Sequence, residues 1–447
     1  MIYRGKTFLI VGISASGRSA AKLLLSKGAS VCLYDDCPIK DIEPLLSMGA
    51  IDVSGCDPGQ LFCQDIYLVI KSPGVPRENP VIERALGKRI PVISEIELGW
   101  YNYRGTVLAV TGTNGKSTVT ALINHILCSA GKKSYLCGNY GVPFTEYCLM
   151  SPESFCCTEV SSFQLEDCYE FKPHISAILN IDKDHMNRHH TMEDYIMAKG
   201  RILKNQRRTE YSVLNFDSGL TRQYFERANS NVYWFSGRQR VRGAYLDGST
   251  LRFCGERIID ARELKIIGHH NVINSLAAIC FGRLLGISAS DVSCALSTFA
   301  GIPHRLQYAG CAKGRVFYND SKATNPASTL TAVRAMRDPT VLLLGGSDKG
   351  SDFVGFFREL SGYPCITACV LYGNTAERLC AEAEVAGFDR YVVAINMLDA
   401  AKKAYTLCPE GGTVLLSPAC ASFDEFNNYE ERGERFMGFV RELMKNG

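Results

Sequence analysis

Short apolar runs recur along the chain and are separated by stretches in which apolar residues return with a helical period. The runs fall at residues 7–12, 30–34, 66–71, 90–93, 106–110, 155–159, 175–181, 316–319, 341–344, 368–372, 391–394 and 413–417. Apolar runs of this length predict strands that are buried on both faces. Because strands that alternate with helices form parallel sheets, we expect an α/β protein.

The pattern restarts twice, which predicts three domains. One boundary falls near Ser94, and after Gly301 strands and helices alternate again. We therefore expect a Rossmann-like domain at 1–93, a central P-loop ATPase-type parallel-sheet domain at 94–300, and a C-terminal Rossmann-like α/β domain at 301–447. A length of 447 residues, of which 46% are hydrophobic, is sufficient for several cores.

Charge and composition exclude several classes of partner. The formal net charge is only +3 at pH 7 and no long basic block occurs, so we expect neither nucleic acid nor an anionic membrane surface to bind. No apolar run could span a membrane and no signal-peptide pattern precedes the first strand, so we expect a cytoplasmic protein. The 19 cysteines are scattered without a CxxC pair, which predicts that most are buried thiols in a reducing compartment rather than ligands of a metal cluster.

The most informative stretch follows the fifth apolar run. It reads Thr-Gly-Thr-Asn-Gly-Lys-Ser-Thr at positions 111–118. Gly112 and Gly115 allow backbone angles at which N–H groups converge on phosphate oxygens, and Lys116 supplies a charge for the outer phosphates. The hydroxyl of Ser117 or Thr118 can bind the magnesium ion of a nucleoside triphosphate. The order of these residues predicts a nucleotide site, and the alternative is a tight turn with a solvated lysine.

A second nucleotide-binding pattern lies near the N-terminus. After the strand at 7–12, Ser14 takes the place of the second glycine of the dinucleotide fingerprint, and Asp35 follows the turn by about twenty residues. The run Ser-Pro-Gly at 72–74 follows another strand, at the end where open α/β sheets bind ligands. These features favour a nucleotide diphosphate group over a nicotinamide or flavin, and a turn without a ligand is the alternative.

Charged residues follow two further strands. Glu159 ends a strand and is either a magnesium ligand or a solvated cap. The run at 175–181 leads into carboxylates, amides and histidines that include His185, a mixture that suits a metal and phosphate site. His189 and His190 belong either to that site or to the loop surface.

Three further polar residues have an ordinary interpretation on composition alone. Lys199 lies in a predicted helix at 192–203 and is expected to be solvated. Asn271 and Asn274 are one turn apart on one helix face, so they either cap that helix or contact a base edge.

Together these motifs resemble those of the Mur ligases, ATP-dependent amide-forming enzymes of peptidoglycan assembly. The resemblance covers essentially the full chain and follows the order of the phosphate loop, Glu159, Asp184-His185, His270-Asn271 with Asn274, and His304-Arg305. The motifs at 320–325, 345–350 and 416–424 resemble the D-glutamate-adding branch of the family. The resemblance implies ATP-dependent addition of D-glutamate to UDP-N-acetylmuramoyl-L-alanine through an acyl phosphate.

The resemblance also implies roles for individual residues. The UDP part of the substrate would contact Ser14, Ala15, Asp35, Ser72 and Gly74, and its amino-acid end or the ATP phosphates would lie near Asn139 and Gln164. ATP would contact Gly112, Thr113, Asn114, Gly115, Lys116, Ser117 and Thr118, with Asn271 and Asn274 at adenine, Arg305 and Lys322 at the phosphates, and Asp320 at the ribose. Of two magnesium ions, one would bind Ser117 and Glu159, and the other would bind His185 and a carbamylated Lys199. D-glutamate would contact Thr324, Lys349, Ser417 and Phe423, and the catalytic residues would be Lys116, His185, Lys199 and Lys349.

One departure from the family pattern is Asn187, which stands where an aspartate is frequent and so changes a contact around the metal rather than the metal ligands. We expect a monomer. Three alternative functions remain open from the residues: another Mur-type or folylpolyglutamate-type amide ligase, a nucleotide-regulated binding protein without catalysis, and a dinucleotide-dependent oxidoreductase.

Overall fold

The computed structural model describes residues 1–62, 65–148, 153–182, 186–223, 228–347 and 350–445. Its N-terminal part forms a parallel sheet with the strand order β3-β2-β1-β4-β5. The strands are β1 (Thr7–Val11), β2 (Ser30–Tyr34), β3 (Ile51–Asp52), β4 (Ile66–Lys71) and β5 (Val92–Ser94). The helices are α1 (Ala15–Ser26), α2 (Glu43–Ser47), α3 (Pro58–Leu61) and α4 (Pro80–Gly87). Phe8 and Ile10 enter one core and Leu9 and Val11 another, so β1 is apolar on both faces, as parallel strands require.

The second sheet has the order β14-β13-β12-β11-β10-β9-β6-β8-β7 among the described residues. Its strands are β6 (Thr106–Thr111), β7 (Ser134–Gly138), β8 (Phe155–Glu159), β9 (Ile175–Ile178), β10 (Tyr211–Asn215), β11 (Asn231–Ser236), β12 (Gly243–Asp247), β13 (Thr250–Phe253) and β14 (Glu256–Asp260). Its helices are α5 (Glu95–Asn102), α6 (Lys116–Ser129), α7 (Ser162–Leu165), α8 (Met186–His189), α9 (Met192–Gly200), α10 (Gly219–Arg222), α11 (His269–Leu284) and α12 (Ala289–Thr298). Because β6 lies between β8 and β9, the loop after β6 is flanked by the ends of both neighbours.

One part of the second sheet differs from the expected parallel arrangement. β12, β13 and β14 pair antiparallel at the sheet edge. The two turns that connect them have residues at positive φ, with Gly248 at 60° in the first and Cys254 at 49° and Gly255 at 96° in the second. Turns with such φ values match the twist of antiparallel strands, which accounts for the hairpins.

The C-terminal sheet has the order β15-β16-β20-β17-β18-β19 and is parallel except for the β15–β16 pair. Its strands are β15 (Gln307–Ala312), β16 (Arg315–Asn319), β17 (Thr340–Gly345), β18 (Ile366–Tyr372), β19 (Tyr391–Val393) and β20 (Thr413–Leu416). Its helices are α13 (Pro326–Val333), α14 (Phe353–Leu360), α15 (Ala376–Ala386), α16 (Met397–Leu407) and α17 (Tyr429–Lys445). Val341 and Leu343 enter one core and Leu342 and Leu344 the other, so helices cover both faces. The α/β expectation is therefore confirmed in all three sheets.

The chain divides into two compact units that are not contiguous in sequence. The first unit comprises Met1–Ala261 and Ile273–Leu296, and the second comprises Arg262–Val272 and Ser297–Gly447. The first unit thus contains the first two sheets, and the second unit contains the C-terminal sheet.

A buried carboxyl group lies where the first two sheets meet. Glu95, the first residue of α5, accepts hydrogen bonds at Oε1 from the backbone N–H (2.6 Å) and the hydroxyl (2.8 Å) of Thr145. The Thr145 Oγ1 atom also lies 2.6 Å from Ser19 Oγ of α1. Burial raises the pKa of Glu95 to about 7, because the charged form loses its hydration.

Among the described residues, no helix combines the length and the apolar character that crossing a bilayer requires.

Candidate active site

The loop between β6 and α6 has the geometry of a phosphate-binding loop. Gly115 caps the N-terminus of α6 with φ 82°, a left-handed conformation that glycine adopts without strain. The ammonium group of Lys116 donates hydrogen bonds to the carbonyl oxygens of Gly112 and Thr113, both at 2.9 Å. Ser117 and Thr118 follow in the first turn of α6, where N–H groups have no helical partner and the helix dipole favours an anion.

The same loop is fixed by residues that follow β9. Asn114 N–H donates to Asn180 Oδ1 (2.8 Å), and the Asn180 amide donates back to the Asn114 carbonyl (3.1 Å). Thr113 N–H donates to the Asn180 carbonyl (3.0 Å), and Thr113 Oγ1 lies 3.1 Å from the Tyr195 hydroxyl. Asn180 therefore orders the loop. It was not among the predicted site residues, and the available signal was a polar side chain within the apolar run at 175–181.

Glu159 is a buried carboxylate with one unpaired oxygen. It ends β8 next to β6 in the sheet, and only 2% of it is exposed. Oε1 accepts a hydrogen bond from the side-chain amide of Asn139 (2.7 Å), whereas Oε2 has no hydrogen-bond partner among the described residues. Burial excludes the solvated cap that the sequence left open. Because an unpaired buried carboxylate oxygen is costly, the environment of Glu159 fits a magnesium ion that would bind this oxygen.

Lys199 is also buried beside the phosphate loop, which corrects the solvated position expected from composition. Its side chain is 1% exposed, and Nζ donates to the Gly112 carbonyl at 2.8 Å. Nζ also lies 4.4 Å from the centre of the Tyr195 ring. Two other predicted active-site residues, His185 and Lys349, lie outside the described residues. Within the described part of the chain, no group of three or more His, Cys, Asp or Glu side chains could hold a metal by itself.

The turn after β1 leaves the start of α1 accessible. Ser14 is the N-cap of α1, its side chain makes no capping hydrogen bond, and both Ser14 and Ala15 are exposed. Asp35 Oδ2 accepts a hydrogen bond from Ile13 N–H at 2.7 Å, so the acidic residue after β2 stabilises this turn. Ser72 Oγ donates to the Gly12 carbonyl at 2.6 Å, which joins the turn to the end of β4.

The turn after β4 is joined to the second sheet by one arginine. Arg188 in α8 donates hydrogen bonds to the carbonyl oxygens of Pro73 (3.3 Å), Gly74 (3.4 Å) and Val75 (2.7 Å). Gly74, expected near the UDP group, therefore lies next to the segment that follows the predicted metal-binding histidine.

A buried ion cluster makes a second connection between the first two sheets. Asp167 has no exposed side-chain surface, and its carboxylate lies 3.0 Å from Lys71 Nζ and 2.7 Å from an Arg77 nitrogen. Lys71 ends β4 and is itself 1% exposed. The predicted UDP-binding turns are thus anchored to the part of the chain that follows Glu159.

Gln164 and His189 are structural partners within this region. Gln164 is buried, and its Oε1 accepts from Ser161 N–H (3.0 Å) in a reciprocal cap of α7. His189 is 4% exposed, its Nε2 lies 2.9 Å from Ser162 Oγ, and its ring stacks on Phe163. His189 is therefore a packed residue, and its position as a loop-surface residue is excluded.

The two asparagines of α11 occupy different environments. Asn271 donates a hydrogen bond from its amide to the Ile267 carbonyl at 2.8 Å and is 7% exposed. Asn274 lies against the phosphate loop, because a Cβ atom added to Gly115 would be only 2.5 Å from Asn274 Oδ1. Of the two predicted adenine contacts, Asn274 is thus brought next to the loop.

In the second unit, the predicted site residues Asp320 and Ser417 are joined by a hydrogen bond. Ser417 Oγ donates to Asp320 Oδ2 at 2.7 Å, and Asp320 Oδ1 accepts from Leu306 N–H at 3.0 Å. Both side chains are buried, and burial raises the pKa of Asp320 to about 7. Around them, Lys322 is half-buried with Nζ 5.4 Å from the Tyr429 ring centre, while three other predicted residues are exposed, namely Arg305, Thr324 and Phe423.

Comparisons with known proteins agree with this geometry. Residues 110–282 match the family described as Mur ligase middle domain, and residues 304–420 match the family described as Mur ligase, glutamate ligase domain. The UDP-N-acetylmuramoylalanine--D-glutamate ligase of Thermoanaerobacter pseudethanolicus is 39% identical over 457 residues, which cover 100% of each chain. A protein of the same name from Streptococcus pneumoniae serotype 2 is 37% identical and covers 99% of this chain and 98% of its own. The fold matches the crystal structure of UDP-N-acetylmuramate-alanine ligase from Thermotoga maritima, with a TM-score of 0.58 and 19% identity over 98% of this chain and 99% of that one.

Proposed function

This chain belongs to the Mur ligase family, and from that premise we propose that it joins D-glutamate to UDP-N-acetylmuramoyl-L-alanine while ATP is converted to ADP and phosphate. The observation that carries the proposal is the full-length similarity, at 39% identity, to a relative named for this reaction. The proposal is also supported by the geometry of the phosphate loop, where Lys116 and Lys199 both donate to the Gly112 carbonyl, and by the buried Glu159 carboxylate with its unpaired oxygen.

We assign one ligand to each sheet. Residues 1–93 would bind the UDP group at the exposed start of α1 and the turn after β4. Residues 94–300 would bind ATP on the phosphate loop, with Asn274 beside it. Residues 301–447 would bind D-glutamate through the loops after β16, β17 and β20, because ligands of open α/β sheets bind at the carboxyl ends of strands.

The proposed chemistry begins with the terminal carboxylate of the bound substrate. Its oxygen attacks the γ-phosphorus of ATP, ADP leaves, and an acyl phosphate forms, since a free carboxylate is too poor an electrophile for an amine. The amine of D-glutamate then attacks the acyl carbon, and phosphate leaves as the amide forms and the amine loses a proton. Lys116, at the phosphate loop, would neutralise charge on the transferred phosphoryl group.

We also propose two magnesium ions, one held by Ser117 and Glu159 and one by His185 and a carbamylated Lys199. Magnesium, when bound, would neutralise charge on the phosphoryl oxygens. The unpaired Glu159 oxygen supports the first of these sites. Carbamylation would give Lys199 an anionic oxygen. The distance of 2.8 Å between Lys199 Nζ and the Gly112 carbonyl oxygen of the phosphate loop supports this second site. A cytoplasmic location and a monomeric state complete the proposal.

The test is phosphate release by the purified protein with MgATP, UDP-N-acetylmuramoyl-L-alanine and one amino acid at a time, with the product identified by mass. We expect product with D-glutamate and none with L-glutamate, L-alanine or diaminopimelate. A Lys116→Met variant controls for contaminating ATPases and should release no phosphate. Product with a different amino acid would replace the proposal by another amide ligase, and ATP binding without any product would support a non-catalytic protein.

A further inference from the structure

The C-terminal unit contains a completely buried arginine that the proposed function does not use. Arg432 lies in α17, has 0% exposure, and is among the largest fully buried side chains. Nε donates to Ser321 Oγ (2.9 Å), and one terminal nitrogen donates to the carbonyls of Ser321 (2.8 Å) and Cys420 (3.0 Å). The other terminal nitrogen donates to the carbonyls of Ala421 (3.2 Å) and Gly345 (3.5 Å). All five N–H donors of the guanidinium group therefore have an acceptor, and every one of these acceptors is an uncharged oxygen.

These acceptors lie at or just beyond the carboxyl ends of three different strands. Ser321 follows β16, Cys420 and Ala421 follow β20, and Gly345 ends β17. The three strands are neighbours in the sheet in the order β16-β20-β17, so their carboxyl ends meet at one edge. The same loops carry the residues expected to contact D-glutamate, namely Thr324, Ser417, Phe423 and Lys349.

The loop after β17 has a glycine, Gly346, at the point where its backbone approaches the guanidinium group. A Cβ atom added to Gly346 would lie 3.1 Å from an Arg432 terminal nitrogen and 2.1 Å from the Ala421 carbonyl oxygen. Ser347 and Ala421 exchange two backbone hydrogen bonds at 2.9 Å, which pair this loop with the loop after β20. Arg432 thus occupies the space that the absent side chain of Gly346 leaves open.

Stability alone does not account for a guanidinium group at this position. Removing an ion from water costs several kcal/mol, and apolar side chains of similar volume commonly give equal or greater stability at buried sites. The neighbouring buried positions of α17 are apolar, with Phe436, Phe439 and Val440 in the core. The arginine instead provides directional hydrogen bonds, because the rigid planar guanidinium group fixes the relative positions of its acceptors.

We propose that Arg432 is a positioning residue for the amino-acid substrate, which holds the loops after β16, β17 and β20 at the spacing that D-glutamate requires. This inference rests on the proposed function. It concerns a residue that does not touch the substrate and acts through the three loops that do.

The test compares Arg432→Met and Arg432→Lys with Phe436→Leu, a matched change at another fully buried residue of α17. We expect both Arg432 variants to raise the KM for D-glutamate about tenfold or more, because displaced loops misplace the binding groups. The KM for UDP-N-acetylmuramoyl-L-alanine should change by less than about twofold, since the residues expected to bind its UDP group belong to the first unit and Arg432 belongs to the second. Lysine retains the charge but cannot reach three loops from one nitrogen. Phe436→Leu should lower thermal stability and leave the KM for D-glutamate unchanged.

A second measurement does not depend on activity. Amide hydrogen exchange over residues 320–323 and 418–424 should be faster in Arg432→Met than in Phe436→Leu. Each variant is measured the same number of degrees below its own thermal unfolding midpoint. If Arg432→Lys has the wild-type KM, or if Phe436→Leu raises the KM as much as the Arg432 variants, or if exchange in these loops is equal in Arg432→Met and Phe436→Leu, the positioning role is wrong. If the wild-type protein makes no product with D-glutamate, the proposed function fails, and the exchange data still decide whether Arg432 holds the loops.

Discussion

The phosphate loop allows a sharp test with two glycines of one helix. Gly115 caps the start of α6 at φ 82°, and Gly131 lies just beyond its end at φ 71°. A Cβ atom at Gly131 would meet nothing within 4 Å, whereas at Gly115 it would lie 2.5 Å from Asn274 Oδ1 and 3.4 Å from Leu179 Cδ1. Both Gly115→Ala and Gly131→Ala therefore force alanine into a left-handed backbone conformation. Only Gly115→Ala also creates an overlap between the new Cβ atom and Asn274.

The structure gives a magnitude for each change. A left-handed conformation costs a residue with a Cβ atom roughly 1–2 kcal/mol, which is the whole effect expected for Gly131→Ala. The overlap with Asn274 adds about 1–3 kcal/mol, as extra atoms do in packed regions. To reach an ordinary separation of about 3.5 Å, the loop or Asn274 must move by roughly 1 Å. A displacement of that size at a phosphate site lowers kcat/KM for ATP by about 100-fold.

The assay measures the thermal unfolding midpoint and kcat/KM for ATP in parallel. We expect both variants to unfold at lower temperature, with about twice the decrease for Gly115→Ala. Only Gly115→Ala should lose activity with ATP. Wild-type kcat/KM in Gly115→Ala, or equal loss in both variants, would refute the argument that Asn274 packs against this loop.

Three further changes test other parts of the first unit. Glu159→Gln keeps the oxygen that accepts the hydrogen bond from Asn139 but removes the charge. The magnesium concentration for half-maximal phosphate release should therefore rise at least about tenfold without loss of thermal stability, and an unchanged magnesium titration would argue against a metal there. Asp167→Asn leaves Lys71 buried without a charged partner and should cost about 3–5 kcal/mol in the free energy of unfolding, more than Arg77→Met, whose side chain is 40% exposed. Because the pKa of Glu95 is raised, its protonated form contributes to stability fully below pH 4.5, and this contribution is lost as the pH rises through about 7. In Glu95→Gln the thermal unfolding midpoint should therefore fall less steeply between about pH 5 and 8 than in the wild type. An identical slope of unfolding midpoint against pH in both proteins would contradict this.

Much of the fold follows from the apolar runs alone. The predicted bounds of the strands at 30–34, 66–71 and 155–159 match β2, β4 and β8 residue for residue, because parallel strands that are covered on both faces form nearly continuous apolar runs. The antiparallel edge of the second sheet was not anticipated. Its strands β13 and β14 are only partly buried and contain charged residues such as Arg252 and Arg257, so no long apolar run marks them.

The sequence could predict which residue types form the site. It could not predict how deeply each side chain is buried or which groups it contacts. The sequence indicates Glu159 as a candidate ligand, yet its burial and its hydrogen bond to Asn139 depend on β7 and β8 being neighbours in the sheet. The same holds for Lys199, which is solvated on a helix considered alone and buried once α9 packs beside the phosphate loop. Arg432 carries no local signal, because its acceptors lie at the ends of three different strands, and two of them, Gly345 and Ser321, are 87 and 111 residues away in sequence.

The division into two units has a consequence for how this protein can be taken apart or recombined. The chain passes between the units three times, after residues 261, 272 and 296. The short segment 262–272 contributes the buried side chains of Leu264 and Ile266 to the second unit, and a Cβ atom at its Gly268 would lie 3.1 Å from Ala335. A single proteolytic cut therefore cannot release either unit intact. For the same reason, one recombination crossover could not transfer the second unit between relatives. Two separate stretches of the gene, which encode residues 262–272 and 297–447, would have to be exchanged together.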